Sequence, residues 1–398
     1  MPLPLILPLN MPPSLPQSSS LLPPLSLYIH VPWCVRKCPY CDFNSHTTDG
    51  GEAIPEALYI NALRSDLSTE LATVSGRTLH SIFIGGGTPS LMSAAGIGEI
   101  LTFVKANIAC ESNMEVTLEA NPGTFEQAKF AGFLEQGVNR LSIGVQSFDD
   151  QCLKALGRIH SAGQAKLAIS KAQSLGFKRI NLDLMHGLPG QNLKQGLADL
   201  DQALDFGTDH LSWYQLTIEP NTEFHSRPPN LPNEDILAEI QDQGQLLIEA
   251  AGLSQYEVSA YAKRGSQAQH NVNYWNFGDY IGAGAGAHGK ISAWHDEAMI
   301  IQRRVKLRQP KVYMAAISAL SSSHYVAPEE IKLEFFMNIL RLQNGVPAAN
   351  YLAHTGQSLA HAEPAIAAAR KAGLMQPDRL QASPLGWRFL NDLLRYFE

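Results

Sequence analysis

A chain of 398 residues with 45% hydrophobic and 17% charged residues is long enough for a large α/β body and a smaller second domain. Its net charge of −7 and isoelectric point near 6.0 argue against a nucleic-acid polyanion as partner. Three of its five cysteines are crowded together, which excludes a disulfide scaffold and fits a reducing cytoplasm.

Residues 1–25 are rich in Leu, Pro and Ser and contain no Lys or Arg. Pro2, Pro4, Pro8, Pro12, Pro13 and Pro16 would break any helix, so this stretch reads as a disordered tail rather than a secretory signal. No later segment has the roughly 20 apolar residues of a membrane span, so membrane contact is expected to be peripheral at most.

From residue 27 to about 220, short apolar runs alternate with segments of helical spacing. The runs Leu27–Val31, Ser81–Gly85, Glu115–Ala120, Arg140–Val145, Arg179–Met185 and His210–Thr217 read as strands. Pro55–Val74, Ala94–Asn107, Thr124–Gln136, Ser161–Leu175 and Asn192–Asp205 read as the helices between them. This alternation predicts an α/β fold, a partial parallel barrel of (β/α)6 type over 26–230 with helices outside. In such folds the chemistry gathers at the C-terminal ends of the strands. The polar motifs fall there: His30 to Cys41, Gly85-Gly86-Gly87-Thr88-Pro89, Glu119-Ala120-Asn121-Pro122, Gln146-Ser147-Phe148, Asp183 with His186–Gly190, and Glu219–Thr222. Residues 231–305 read as an extension of the barrel, with a helix at Glu234–Ala251 and a strand at Tyr256–Tyr261. This extension also carries His270-Asn271-Val272-Asn273-Tyr274-Trp275 and a glycine-rich run. Residues 306–398 are expected to form a mainly helical domain of winged-helix type.

Cys34, Cys38 and Cys41 have the spacing C-x3-C-x2-C. Three soft thiolates on one loop favour zinc or an iron–sulfur cluster over hard cations. Structural zinc takes four protein ligands, usually as two separated pairs, and would need His30 or His46 here. A [4Fe–4S] cluster held by three cysteines leaves one iron open to a ligand that is not protein. The run Gly85–Thr88 lets backbone groups approach such a ligand where a Cβ would clash. Glu119, Gln146, Arg158 and Asp183 read either as ordinary rim polar groups or as contacts to a charged, hydroxyl-rich ligand. Arg158 suits a carboxylate through its fork. His270, Tyr274 and Trp275 read as a satisfied core histidine beside packed aromatics, or as an axial ligand and flat surface for a macrocycle such as haem. Cys110 and Cys152 read as buried thiols, and His186 and His288 as weaker ligand candidates.

The cysteine triad with Gly85–Pro89 resembles the radical S-adenosylmethionine superfamily. Tyr28–Cys34, Asn121-Pro122-Gly123, Gly144–Phe148, Leu156–His160 and Asn181–Pro189 narrow this to the oxygen-independent coproporphyrinogen III oxidase family. The oxidases of that family carry a further cysteine two residues after the triad, where this chain has Phe43. Cys41-Asp42-Phe43-Asn44-Ser45 and His270-Asn271-x-x-Tyr274-Trp275 resemble instead the family's haem-chaperone branch.

The resemblance implies a [4Fe–4S] cluster on Cys34, Cys38 and Cys41. It implies S-adenosylmethionine held by Tyr28, Gly86, Gly87, Thr88, Glu119, Gln146, Arg158 and Asp183, and haem candidates in His270, Tyr274 and Trp275. The implied function is to hold haem and deliver it to an acceptor protein, served by an electron donor such as a flavodoxin or ferredoxin. The alternative is an oxidase that decarboxylates coproporphyrinogen III.

Overall fold

A computed structural model describes residues 22–48, 53–123, 127–296 and 298–398. The expected tail therefore lies outside the described residues up to position 21, and so does the start of the helix expected from Thr124. Leu25, assigned to the tail, already belongs to the first strand.

Six parallel strands form the body: β1 (Leu25–Val31), β2 (Thr78–Gly86), β3 (Ala109–Ala120), β4 (Arg140–Gln146), β5 (Arg179–His186) and β6 (His210–Gln215). Between them run α1 (Glu56–Thr73), α2 (Ala94–Asn107), α3 (Phe130–Glu135), α4 (Ala162–Ser174) and α5 (Leu193–Asp205), and α6 (Glu234–Ala250) follows β6. Side-chain chemistry sets the helix starts. Ser93 accepts from Gly96 N at the head of α2, and Ser161 and Asn192 form capping boxes with Gln164 and Gln195 at α4 and α5.

Each strand is apolar at every second residue toward the helices. Leu27, Ile29, Ile82, Ile84, Leu118, Leu141, Ile143 and Leu182 are fully buried there against α1 to α5. The alternate residues face the lumen and are mostly polar, Phe83 excepted. They bond to one another on neighbouring strands: Ser26 to Ser81 (2.8 Å), Arg140 to Glu115 (2.7 Å), Asn181 to Ser142 (2.8 Å) and His210 to Asn181 (2.6 Å). These pairs make burial of the lumen polar groups tolerable by replacing most lost contacts with water, although Thr117 Oγ1 and Arg140 Nη1 stay unpartnered.

The sheet is larger than the barrel alone. Its order is Leu320–Tyr325, Ala298–Lys306, His288–His295, Asp279–Ala283, β1-β2-β3-β4-β5-β6, Ala260–Ala262 and Ser254–Glu257. Tyr256–Tyr261, expected as one strand, is a hairpin of β7 (Ser254–Glu257) and β8 (Ala260–Ala262), antiparallel to β6. The glycine-rich run begins at the end of β9 (Asp279–Ala283), which is parallel to β1, and leads into β10 (His288–His295) and β11 (Ala298–Lys306). β12 (Leu320–Tyr325) lies where helix was expected.

The segment Ser266–Trp275 plugs the end of the lumen where the strands begin. Ser266 and Gln267 carbonyls accept from Arg140, Gln269 N donates to Glu115, and Asn273 Nδ2 donates to Ser26 Oγ and Asp279 O. A second core, built on Phe277, Phe335, Phe336, Tyr351, Ile366 and Phe397, holds helices Pro328–Ile339, Ala349–Thr355 and Glu363–Lys371. Antiparallel bridges at Val346–Leu380 and Met375–Ala382 complete it.

Behind the barrel lies a buried charge network. Lys306 Nζ reaches both Asp66 and Glu70, Arg304 forks onto Glu70, and Asp66 also accepts from Tyr313 and from Gly284 N. This ties α1 to the turn between β9 and β10. Gly284 has φ +102°, and a Cβ there would stand 2.3 Å from His30 O, so the turn lies directly against the end of β1.

Candidate cluster and cofactor site

The chain leaves β1 through Pro32 into a loop closed at its base. Trp33–Cys34 pairs with His46–Thr47, and His46 N donates to Pro32 O (2.7 Å). Inside the loop Cys41 N bonds Cys38 O (3.1 Å), which turns the three thiols to one side. Asn44 staples the loop to the body. Its Nδ2 donates to Ala285 O and Arg308 O (both 2.9 Å), and its carbonyl accepts from His30 Nε2 (2.9 Å). Tyr28 OH lies 2.9 Å from His30 Nδ1, so with Nε2 donating to Asn44, the imidazole accepts from tyrosine. His46 Nε2 meets Asn44 Oδ1 (3.2 Å). Both histidines that would complete a zinc site are thus engaged elsewhere. Among the described residues no group of three His, Cys, Asp or Glu closes on a single ion.

One cavity of about 330 Å³ opens above the lumen. Its walls include all three cysteines together with Gly86, Gly87, Thr88, Glu119, Gln146, Arg158 and Asp183. Those are seven of the eight residues expected around S-adenosylmethionine. Tyr28, the eighth, lies below the cavity with its hydroxyl on His30. The glycines are required by contact. A Cβ on Gly86 (φ +117°) would stand 2.6 Å from the His30 ring, and one on Gly87 would stand 2.6 Å from Trp33 O. Gln146 sits at a strand irregularity with φ 66°, rare for a side-chain-bearing residue, and its Oε1 accepts from Tyr214 OH (3.1 Å).

The electrostatics are those of a water-poor pocket. Burial first, and then the nearby Asp183, push the Glu119 carboxyl up to about 8, while the Gly86 N–H (3.0 Å) pulls the other way. Burial raises Asp183 too, against hydrogen bonds from Ser142, Asn181 and Ser212. Burial pushes the Cys34 and Cys41 thiols up, opposed by hydroxyl contacts from Thr88 and Ser45 respectively. The site fits a soft-metal cluster with an anion-and-hydroxyl-bearing ligand beside it: three thiols on one wall, a side-chain-free glycine cradle next to them, and two carboxylates with one guanidinium opposite.

The remaining candidates are elsewhere. His270 is buried, with Nδ1 lacking a hydrogen-bond partner, and its ring packs 5.1 Å from Phe83 and 6.2 Å from Tyr28 beneath the cavity. Burial alone lowers its pKa to about 4. Tyr274 and Trp275 pack edge to face, and Arg341 of the C-terminal domain covers Trp275 at 4.4 Å. His186 packs on Trp213, Cys152 is buried, and Cys110 is only half-buried. Sequence reasoning missed Tyr40, Asn121, Ser142, Ser212, Tyr214 and Glu257 as cavity walls. Tyr40 and Asn121 stood inside the motifs, and strand alternation marks Ser142, Ser212 and Tyr214 as lumen-facing. Glu257, on the antiparallel hairpin, had no such signal.

Comparison with known proteins bears on this site. The family model described as "Radical SAM superfamily" matches residues 28–203. The chain is 49% identical over 378 residues to the "Heme chaperone HemW" of Escherichia coli (strain K12), covering 94% of this chain and 98% of that one. To the protein of the same name from Bacillus subtilis (strain 168) it is 36% identical over 344 residues, covering 84% and 88%. The coproporphyrinogen III oxidase (HemN) of Escherichia coli, described as a radical SAM enzyme, superposes with a TM-score of 0.79 at 19% identity. That match covers 96% of this chain and 91% of that one, and shows a shared fold.

Proposed function

The chain belongs to the HemW family within the radical S-adenosylmethionine superfamily, and on that premise we propose that it is a haem chaperone. It holds a [4Fe–4S] cluster with S-adenosylmethionine in the cavity, binds one haem, and passes it to a haem-requiring acceptor. The observation that carries this reading is the near full-length similarity to relatives named for that function, at 49% identity. Phe43 agrees with it: 64% exposed at the cavity wall, it occupies the position of the oxidases' additional cysteine.

Cys34, Cys38 and Cys41 would hold the cluster, which when bound supplies a transferable electron and an open iron for the ligand's amino and carboxylate groups. The chain's own groups do the rest. Gly86 and Gly87 present backbone to the ligand, Glu119 accepts from hydroxyls, Gln146 is held in its unusual conformation by the bulge and Tyr214, and Asp183 is oriented by three donors. A low-potential flavodoxin or ferredoxin would feed the cluster. No helix among the described residues is long and apolar enough to cross a membrane, and a cytoplasmic location goes with this reading.

His270, Tyr274 and Trp275 are the proposed haem contacts. Because Phe83 and Tyr28 cover the His270 ring, iron ligation requires the Gln269–Trp275 helix to withdraw from the barrel floor. The test is anaerobic reconstitution followed by two assays on one sample. Stoichiometric haem binding without conversion of coproporphyrinogen III is the expected result, and turnover of that substrate would sink the chaperone reading. His270→Ala should abolish haem binding while iron and sulfide content stays at the wild-type level. Haem binding that survives the substitution would refute the ligand assignment and spare the function.

A further inference from the structure

Each of the three cysteine sulfurs meets a hydrogen-bonding side chain from a different part of the fold. Thr88 Oγ1, at the end of β2, donates to Cys34 Sγ (3.4 Å). Arg158 Nη1, beyond β4, donates to Cys38 Sγ (3.7 Å). Ser45 Oγ, within the cysteine loop itself, lies 3.7 Å from Cys41 Sγ. The Tyr40 hydroxyl also touches Cys38.

We propose that Thr88, Arg158 and Ser45 set the reduction potential of the cluster, with Arg158 contributing most. The proposal rests on the reading of the triad as a [4Fe–4S] site. Hydrogen bonds to the sulfurs and nearby charge are among the levers that move such potentials. Reducing the cluster by one electron, taken from a low-potential donor, adds one negative charge. A guanidinium beside a ligating sulfur stabilises the reduced state more than the oxidised one, and two neutral hydroxyls do so to a smaller extent.

Arg158 is built for that position. Its Nη2 is fixed by Asn121 Oδ1 (2.7 Å) and Gly144 O (3.0 Å), which leaves Nη1 aimed at the sulfur. Of its three hydrogen-bond partners only Cys38 can carry negative charge. A purely structural arginine would need only its bonds to Asn121 and Gly144 and would leave the potential untouched. Ser45 also gives the Cys41–Ser45 motif a chemical purpose that cofactor binding alone does not.

The test is an EPR-monitored redox titration of the anaerobically reconstituted full chain, poised with dithionite and mediators, without S-adenosylmethionine. Arg158→Gln should make reduction at least tenfold less favourable, a shift of 59 mV to more negative potential for a one-electron couple. Arg158→Lys should fall between it and the wild type. Ser45→Ala should shift the potential in the same direction by about two- to fivefold in the equilibrium constant, the scale of one neutral hydrogen bond. The surface variant Arg64→Gln, which breaks only an exposed pair with Glu99, should match the wild type. An unchanged potential in an Arg158→Gln protein with full iron and sulfide overturns the proposal. If both Arg158 variants fail to load, Ser45→Ala decides: a negative shift supports it and no shift overturns it. A wild-type chain that binds no cluster would instead refute the underlying site.

Discussion

Lys306→Ala is expected to remove about 3–5 kcal/mol of folding stability, the usual consequence of stripping one partner from a buried ion pair. Lys306 is 1% exposed and its ammonium is shared between Asp66 and Glu70. Without it two carboxylates face each other in a site from which water is excluded, and Arg304 neutralises only Glu70. The damage should extend to the cysteine loop. Asp66 holds Gly284 N, the same turn presents Ala285 O to Asn44, and Asn44 anchors the loop. Urea unfolding of the apo-protein measures the first effect, and iron content after reconstitution measures the second. A loss below about 1 kcal/mol would show that the network is dispensable.

S-adenosylmethionine should bind the cluster-loaded protein more tightly as pH rises, by about tenfold per unit below pH 8 and with a plateau above it. The sign follows from Glu119. In the empty cavity burial pushes its carboxyl up to about 8, so at pH 6.5 it is mostly protonated, and the ionised form is the stronger acceptor for two ribose hydroxyls and the one that attracts a cation. Binding must expel that proton, and calorimetry in buffers of different ionisation enthalpy should detect its release. Glu119→Gln should flatten the profile and weaken binding at pH 9. The same shift acts on the apo-fold in the opposite sense. The folded state binds the Glu119 proton more tightly than the unfolded chain does, so this group's destabilisation is absent below about 4.5 and complete above about 8. A flat affinity profile in the wild type would exclude Glu119 as the group that titrates on binding.

The parallel body was legible because its strands obey a rule visible in one dimension. Apolar runs such as Arg140–Val145 are bounded by polar motifs, and the helices between them carry Ser, Asn and Gln caps. The antiparallel additions were hidden. β9 (Asp-Tyr-Ile-Gly-Ala) is short and runs straight into a glycine- and alanine-rich turn, a context shared with loops, and it becomes a strand because β1 offers it an edge. β12 (Leu-Ser-Ser-Ser-His-Tyr) has almost no apolar content and exists through pairing with β11. In the site, the cysteines and glycines were readable from type and spacing. The role of His270 was not, because its spacing is the same whether the ring faces a ligand or, as here, the underside of Phe83.

The place of β1 has a consequence for biosynthesis. β1 pairs with β2 on one side, but its other neighbour is β9, with Leu25–Ile29 matched to Asp279–Ala283. A chain made from its N-terminus exposes the cysteine loop early, yet the edge beside it stays open until residue 283 has been synthesised. Asn44 likewise finds its acceptors only at Ala285 and Arg308. Such distant pairings close slowly and late. Cluster loading is therefore expected to wait until the chain has been made past Arg308, and a nascent or truncated chain ending before β9 would present its three thiols without the frame that orients them.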